Sequence, residues 1–266
     1  MKEKNFHSDK ILNYCQENNI KNIAFDFFDT VAYRRVPPEY VKYIAAKRFL
    51  LKSGINISPQ LFYELRSGFE IKLSQSNNRK YGSLEFNIEE LAKYLADYFE
   101  GRSQLNKDRM ISDFIETEIQ VELEVLCLNE DIFSFMKLAC SQGINLYLIS
   151  DFYIPRNLFD KIIKKLGLTQ LFKQIFISTD FRKTKRSGDL YKEFLAITGL
   201  DSKEIIMIGN SLVSDVEMAE ENGIKSYLID SSKRENQYQS KFLEIKDFYL
   251  SNNNIENSFK KIFRKH

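Results

Sequence analysis

Histidine is nearly missing from this chain of 266 residues, which contains only His7 and His266, one near each end. Serine and cysteine hydrolases use a histidine to take the proton from the nucleophile, so those mechanisms have almost no base available here. The zinc-binding sequence HExxH is also absent. Any catalysis must therefore rest on carboxylates, lysine and hydroxyl groups, with or without a hard metal ion.

Glycine and cysteine are too sparse for several common binding motifs. The 10 glycines are all isolated from one another, so the chain has neither a GxGxxG nor a Walker phosphate-binding loop. Cys15, Cys127 and Cys140 include no CxxC pair, which argues against a structural zinc site and favours buried, unreactive thiols.

Long apolar runs are missing as well. The N-terminal sequence MKEKNFHSDK has no apolar signal-peptide region, and no stretch of about 18 apolar residues could span a membrane. We therefore expect a cytoplasmic protein. A net charge of +2 without a dominant basic run gives no reason to expect a nucleic acid partner.

What the chain does contain is a regular alternation of helix and strand patterns in its second half. Four apolar segments, each following a helical segment that ends at a glycine, are predicted strands: 144–150, 174–178, 204–209 and 225–229. An earlier apolar segment, 22–28, is the predicted first strand. Such alternation is typical of βαβ units, so we predict an α/β fold with a Rossmann-like parallel sheet.

Between the first strand and this alternating region, from Pro38 to Leu128, apolar residues repeat with helical spacing. This segment is predicted to be a small helical bundle inserted into the sheet. We accordingly divide the chain into a core of residues 1–33 and 129–232, a helical insertion of residues 34–128, and a basic tail of residues 233–266.

The tail places Phe259, Ile262 and Phe263 among lysines and arginines. This pattern predicts a solvated helix or a frayed end. The alternative is a weak contact with a partner or with an anionic membrane surface.

Polar side chains cluster where the predicted strands end. They are Asp26, Asp29 and Thr30 at the end of the first strand, Ser150 and Asp151 at the end of the second, Lys183 and Lys185 after the third, and Asn210 and Asp215 after the fourth. Because the carboxyl ends of parallel strands meet at one edge of a sheet, we expect these residues to converge on one crevice.

The types of residue in this set suit phosphoryl transfer. A carboxylate can attack phosphorus and form an aspartyl phosphate, but a cation must screen its charge from the phosphate dianion. Mg²⁺ binds phosphate oxygens together with one or two carboxylates, and Asp26 and Asp215 could supply them. A lysine and a serine hydroxyl could then hold the transferring group.

The segments FDFFDTV, LYLIS, a lysine before SGDLY, and MIGNSLVSD resemble, in this order, the four motifs of the haloacid dehalogenase superfamily. The resemblance covers about 21–33 and 131–230, and the helical insertion lies where that family carries its C1-type cap. It implies that Asp26 is the nucleophile. The finer pattern FDxFDT, Arg34, ISDFYIP and KxxGxLY is similar to hydrolases found with bacterial surface-glycan genes.

The resemblance implies further roles, residue by residue. Ser150 matches the phosphate-binding residue of the second motif, and Lys185 matches the lysine of the third, with Lys183 as the alternative. Asp215 matches a metal-site carboxylate of the fourth motif. The backbone carbonyl of Phe28 would be the third protein ligand of the metal.

Two positions depart from the family's pattern. Phosphatases of the family usually read DxDGT, and the second aspartate protonates the leaving alkoxide; here Phe28 stands at that position and Asp29 comes one residue later. Either Asp29 acts as the acid, or the substrate has a better leaving group, or phosphatase activity is weak. Dehalogenases of the superfamily also carry an aromatic residue there. Asn210 replaces a common aspartate, which should weaken Mg²⁺ binding, although an amide oxygen can still coordinate the ion or orient a water.

Other polar residues have two possible roles. Thr30 is expected to cap a turn and to bond Asp26. Arg34 could reach a substrate anion or form a surface ion pair. Asp151 could contact substrate hydroxyls or cap the following helix. Glu118 and Glu122 are expected on a solvated face, with lining of the cleft as the alternative.

These residues together lead us to expect a Mg²⁺-dependent phosphomonoester hydrolase that forms an aspartyl phosphate on Asp26. The resemblance to glycan-associated hydrolases suggests a sugar phosphate or a phosphorylated glycan intermediate as substrate. The alternatives are a 2-haloacid dehalogenase-like hydrolase, a phosphotransferase or mutase, and a non-catalytic binding module.

Overall fold

The computed structural model describes residues 7–103 and 105–231. These residues form seven strands and ten α-helices. The strands are β1 (Asn22–Phe25), β2 (Ala32–Arg34), β3 (Leu126–Leu128), β4 (Asn145–Ser150), β5 (Phe172–Ile177), β6 (Ile205–Gly209) and β7 (Lys225–Leu228). The helices are α1 (Ser8–Glu17), α2 (Pro38–Ser53), α3 (Pro59–Tyr81), α4 (Ile88–Tyr98), α5 (Lys107–Val125), α6 (Glu130–Ser141), α7 (Arg156–Lys165), α8 (Ser178–Phe181), α9 (Asp189–Thr198) and α10 (Met218–Glu221).

Five of the strands form one parallel sheet in the order β5-β4-β1-β6-β7. Side chains alternate between the two faces of each strand, as the period of two requires. Ile23 and Phe25 of β1 pack with helices α1, α6 and α7 on one face, whereas Ala24 packs with α9 and α10 on the other. Both faces are covered, which explains why the strands are almost entirely apolar. The predicted α/β fold with a parallel sheet is confirmed.

Helices α2 to α5, hereafter the helical insertion, lie between β2 and β3 in the chain. Their mutual contacts are made by buried aromatic side chains, which are Phe49, Phe62, Phe69, Phe99 and Phe114. Helix α4 begins with a capping box, in which Asn87 and Glu90 each accept a hydrogen bond from the other's backbone N–H. The apolar cluster of the insertion is continuous with that on one face of the sheet.

A two-stranded antiparallel ribbon of β2 and β3 was not predicted from the sequence. It pairs Ala32 with Leu128 and Arg34 with Leu126, so the predicted helical region ends at Val125 rather than Leu128. The chain therefore enters and leaves the helical insertion through two hydrogen-bonded neighbours.

Two other predicted boundaries were wrong. Strand β1 ends at Phe25, because the chain then turns back tightly, with Val31 and Ala32 both donating backbone hydrogen bonds to Phe27 O at 2.9 Å. The helical segment predicted between the last two strands begins instead as a π-helical segment, Leu212–Glu217, and continues as α10. Such wide turns often occur at functional sites.

Several sequence expectations meet the structure only in part. No helix in the described ranges is both long and apolar enough to cross a membrane. Cys15 is buried as expected, but Cys127 and Cys140 are only half-buried. The basic tail of residues 233–266 lies outside the described residues.

Candidate active site

Three buried charged side chains meet at the carboxyl end of the central strand. Asp26 directly follows β1, and its backbone N–H donates to Ile208 O of β6 at 2.9 Å. The Lys185 Nζ atom donates hydrogen bonds both to Asp26 Oδ1 and, at 2.6 Å, to Asp215 Oδ1. The structure thus brings together three residues that stand far apart in the sequence, two acids bridged by one ammonium group.

Burial and charge shift the pKa values of this group strongly. Burial, opposed by Lys185 and assisted by Asp215, raises the pKa of Asp26 to about 7. Burial alone would lower the pKa of Lys185, but the charges of Asp26 and Asp215 outweigh it and hold that pKa well above its usual range. Lys185 therefore stays a cation at neutral pH and carries positive charge into a buried site.

Asp215 is held in place by the backbone around it. Its Oδ2 atom accepts a hydrogen bond from the Ser211 N–H at 2.9 Å. A Cβ atom added at Gly209 would lie only 2.6 Å from Asp215 Cβ, closer than real contacts allow. Glycine at the end of β6 therefore creates the space that the carboxylate occupies.

Two buried hydroxyl groups close to this edge of the sheet have no hydrogen-bond partner among the described residues. They belong to Ser150, at the end of β4, and to Thr30. Ser150 is the residue that was predicted to bind phosphate, and an unpartnered buried hydroxyl is available for an anion. The expected bond from Thr30 to Asp26 is absent; instead the Thr30 carbonyl accepts from Asn129 Nδ2 at 2.8 Å, which fixes the turn.

Asp29 lies in the tight turn after Asp26 with a φ of 58°, the left-handed region that non-glycine residues seldom adopt. Its backbone N–H donates to Ala32 O at 2.7 Å. Its charge also helps to raise the pKa of Arg34, so the two side chains are electrostatic neighbours. A role for Asp29 as an acid stays a prediction.

Arg34 was expected either to meet a substrate anion or to form a surface ion pair. The structure shows an ion pair with Glu122, with Nε and Nη2 within 2.9 Å and 2.8 Å of its oxygens. The pair is buried rather than on the surface, with only 1% of the Glu122 side chain exposed. The guanidinium lies 3.8 Å above the ring of Phe28, the residue that stands where phosphatases carry their acid.

The prediction that Glu118 and Glu122 lie on a solvated face was wrong for both residues. Glu118 is fully buried and binds the equally buried Arg66, and it also accepts a hydrogen bond from the Tyr153 hydroxyl at 2.9 Å. Because these partners are far away in the sequence, the helical spacing of the two glutamates did not reveal their burial.

The remaining predicted residues have distinct partners. Asp151 accepts a hydrogen bond from the Lys185 N–H at 2.8 Å and so holds the loop that carries the lysine. The helix-capping role considered for Asp151 is wrong, since Asp180 Oδ1 accepts from the first N–H of α7 at 3.1 Å. Lys183 pairs with Glu193, not with Asp26.

Asn210, a candidate metal and phosphate ligand, donates from Nδ2 to Ser231 Oγ at 3.3 Å. Three residues that no sequence pattern singled out lie at the same edge of the sheet: Glu85, Ser178 and Arg182. Their contacts join segments 93 residues or more apart, so no local signal could have found them.

The donor set at Asp26 fits a hard divalent cation chemically. Asp26 and Asp215 offer two carboxylates that both contact Lys185 Nζ, and Phe28 could add its carbonyl oxygen. Mg²⁺ is commonly bound by one or two carboxylates together with substrate phosphate and waters. Within residues 7–103 and 105–231, no group of three or more His, Cys, Asp or Glu side chains is arranged to hold a metal ion.

Comparison with known proteins places this geometry in context. A family model described as haloacid dehalogenase-like hydrolase matches residues 59–229. A search of curated proteins finds no match.

Two solved structures resemble the fold. A 2-haloacid dehalogenase from Pseudomonas syringae superposes with a TM-score of 0.57 and 17% identity, over 79% of this chain and 86% of that one. A variant of a HAD family enzyme from Bacteroides thetaiotaomicron, in complex with magnesium and inorganic phosphate, superposes with a TM-score of 0.52 and 14% identity, over 80% of this chain and 95% of that one. At these identities the likeness establishes a shared fold.

Proposed function

The chain belongs to the haloacid dehalogenase-like hydrolases, and on that premise we propose that it hydrolyses phosphomonoesters with Asp26 as nucleophile and Mg²⁺ as cofactor. The observation that carries the proposal is the buried bridge in which Lys185 Nζ binds both Asp26 and Asp215. It supplies a nucleophilic carboxylate, a fixed positive charge and a second carboxylate at one point.

In the proposed first step, a carboxylate oxygen of Asp26 attacks phosphorus. The new P–O bond forms an aspartyl phosphate while the bond to the leaving oxygen breaks, and that oxygen takes a proton to depart as an alcohol. In the second step, water attacks the aspartyl phosphate, which releases inorganic phosphate and restores the Asp26 carboxylate.

Chain residues near Asp26 support both steps. The Lys185 ammonium group opposes the charge of the phosphoryl oxygens, and the unpartnered Ser150 hydroxyl can donate a hydrogen bond to one of them. Asp29 is the proposed acid for the leaving alcohol and then the base for water.

Asp26, Asp215 and the Phe28 carbonyl are the proposed ligands of Mg²⁺, which when bound supplies positive charge against the phosphate oxygens. Asn210 is a further proposed ligand through its amide oxygen, because its hydrogen bond to Ser231 uses only the amide nitrogen. Substrate class is proposed from the motif resemblance alone: a sugar phosphate or a phosphorylated glycan intermediate.

A screen of phosphate esters tests the proposal. We expect release of inorganic phosphate from at least one sugar phosphate with Mg²⁺, and loss of release with a chelator. Asp26→Asn should lower kcat by about a thousandfold or more, because the amide is a poor nucleophile. Lys183→Met is the matched control for Lys185→Met, because Lys185 pairs with Asp26 whereas Lys183 pairs with Glu193. A protein that releases no phosphate from any ester with Mg²⁺ would contradict the proposal.

One observation favours a second candidate, hydrolysis of 2-haloacids. Phe28 stands where a phosphatase acid is expected, and a departing halide needs no proton. Asp26 would attack carbon, the carbon–halogen bond would break with its electron pair on the halide, and water would hydrolyse the resulting ester. Halide release that persists in the presence of a chelator would select this reaction.

A further inference from the structure

The helical insertion touches the core a second time, far from the β2–β3 ribbon. The loop between α3 and α4 reaches the segment that follows β5. Ser178 Oγ donates to Glu85 Oε2 at 2.5 Å, Arg182 Nη1 donates to Glu85 O at 3.0 Å, and Arg182 Nη2 donates to Glu90 Oε1 at 2.6 Å. We call these three bonds the clasp.

Two backbone contacts flank the clasp. The Ile88 N–H, at the start of α4, donates to Tyr153 O at 2.8 Å. Thr179 Oγ1 donates to Phe86 O at 3.2 Å. The loop is therefore fastened over consecutive residues to the two segments that leave β4 and β5.

A continuous series of contacts connects the clasp to the nucleophile. Ser178 Oγ accepts a hydrogen bond from the Phe152 N–H at 3.0 Å. The preceding residue, Asp151, accepts from the Lys185 N–H at 2.8 Å, and Lys185 Nζ binds Asp26. A shift of the loop at Glu85 would thus act on the segment that positions the active-site lysine.

From this geometry we propose that Glu85 and Arg182 are positioning residues that hold the helical insertion over the Asp26 site, and that ionisation of Glu85 weakens this hold. The proposal goes beyond the chemical step, and only its kinetic test rests on the proposed function.

The backbone of Arg182 supports the proposal. Its φ of 52° and ψ of 37° lie in the left-handed region, which is unfavourable for an arginine. Glycine would serve better if only a turn were required. The side chain explains why this position carries an arginine, because both hydrogen bonds of the guanidinium group are made to the helical insertion.

Charge explains why ionisation of Glu85 should weaken the clasp. Burial, aided by the nearby Asp151 charge and opposed by Ser178 and Arg182, raises the pKa of Glu85 from 4.5 to about 7. Arg182 is itself partly neutralised by Glu90 on α4. The Glu85 carboxyl therefore binds a proton more tightly when the loop is held by the clasp than when the loop is solvated. Protonation favours the clasp, so its stability falls as pH rises from about 4.5 to about 7 and levels off above that range.

Hydrogen exchange of the Ile88 amide tests this without any assay of activity. After correction for intrinsic exchange, the opening constant of this amide should rise about tenfold or more between pH 5 and pH 7. In Glu85→Gln, which keeps the size and the acceptor oxygen, the rise should disappear. Glu89→Gln removes the same charge from a carboxylate with no core partner among the described residues, and its Ile88 amide should behave as in the wild type. The opening constant of the remote Asn145 amide should be the same in the wild type and in Glu85→Gln. An Ile88 opening constant with the same pH dependence in wild type and Glu85→Gln would overturn the proposal.

Kinetics give the second test. With p-nitrophenyl phosphate, KM of the wild type should rise more between pH 5 and pH 7 than KM of Glu85→Gln does. Arg182→Ala should lower kcat/KM about tenfold or more, since small misplacements near a site carry large rate costs, and Arg182→Lys should recover part of the loss. Unchanged kcat/KM in Arg182→Ala would refute its role. If no phosphate ester is turned over at all, the proposed function fails, while the exchange experiment still decides the clasp.

Discussion

At the scale of single residues, Gly209 shows how the backbone makes room for chemistry. The carboxylate of Asp215 occupies the volume that a side chain at this position would need. Any other residue would push Asp215 away from Lys185 Nζ, to which it is bonded at 2.6 Å. The glycine is thus required by a close approach rather than by a left-handed turn.

Substituting this glycine should therefore damage the site directly. We expect Gly209→Ala to destabilise the protein by about 1–3 kcal/mol through overpacking and to lower kcat at least a hundredfold, measured by urea unfolding and phosphate release. Gly68→Ala is the control, because Gly68 lies within α3 and a methyl group there meets nothing within 4 Å. That variant should gain about 0.5–1 kcal/mol from helix propensity. Equal effects of the two substitutions would show that the space at Gly209 is unimportant.

The left-handed backbone of Asp29 allows a conservative test of its role as an acid. Asn tolerates this conformation, so Asp29→Asn should retain the turn but lose the proton donor. We expect kcat to fall about a hundredfold for sugar phosphates and much less for p-nitrophenyl phosphate, whose leaving group needs no acid. Similar losses with both substrates would exclude Asp29 as the acid. The sequence showed that Asp29 stands one position after the expected acid. It did not show whether Asp29 can replace that acid.

At the scale of elements, helix α5 carries buried charge into the contact between the helical insertion and the core. Glu118 binds Arg66 of α3 and Tyr153 of the core, and Glu122 binds Arg34 of β2. Each pair is enclosed, so neither charge can turn to solvent if its partner is lost.

Removal of one partner should therefore be far more costly than at the surface. We expect Glu118→Ala to destabilise the protein by about 3–5 kcal/mol in urea unfolding, since it leaves the buried Arg66 with Glu70 as its one ion-pair partner among the described residues. Glu124→Ala, on the same helix as Glu118, breaks an ion pair with Arg48 of α2 and should cost no more than about 1 kcal/mol, because 41% of the Glu124 side chain is exposed. A small cost for Glu118→Ala would mean that water reaches Arg66.

The elements also show where prediction from sequence succeeded. The five sheet strands were predicted because each is an apolar segment, and in the second half each follows a helix that ends at a glycine. The β2–β3 ribbon was missed because Leu126 and Leu128 continue the apolar spacing of α5, and three-residue strands have no period of their own. Tertiary pairing with β2, more than 90 residues earlier, decided that structure.

At the scale of the whole molecule, the convergence of strand ends was the most useful prediction. Asp26, Ser150, Lys185 and Asp215 all lie at the same edge of the sheet, as the parallel topology requires. Residues on the side of the helical insertion could not be predicted in the same way. Glu85 and Arg66 meet partners across irregular loops and helix faces, where no spacing rule relates one residue to another.

The order of strands in the sheet has a consequence for synthesis of the chain. Strand β1 is central, and its partners β4 and β6 are made only after the entire helical insertion. Lys185 follows Asp26 by 159 residues, so a growing chain exposes the proposed nucleophile long before the lysine that pairs with it. Domains generally fold as units as they emerge, N-terminal parts first. The insertion is therefore synthesised while β1 still lacks a neighbour, and the contact between Asp26 and Lys185 is among the last parts of the protein to be assembled.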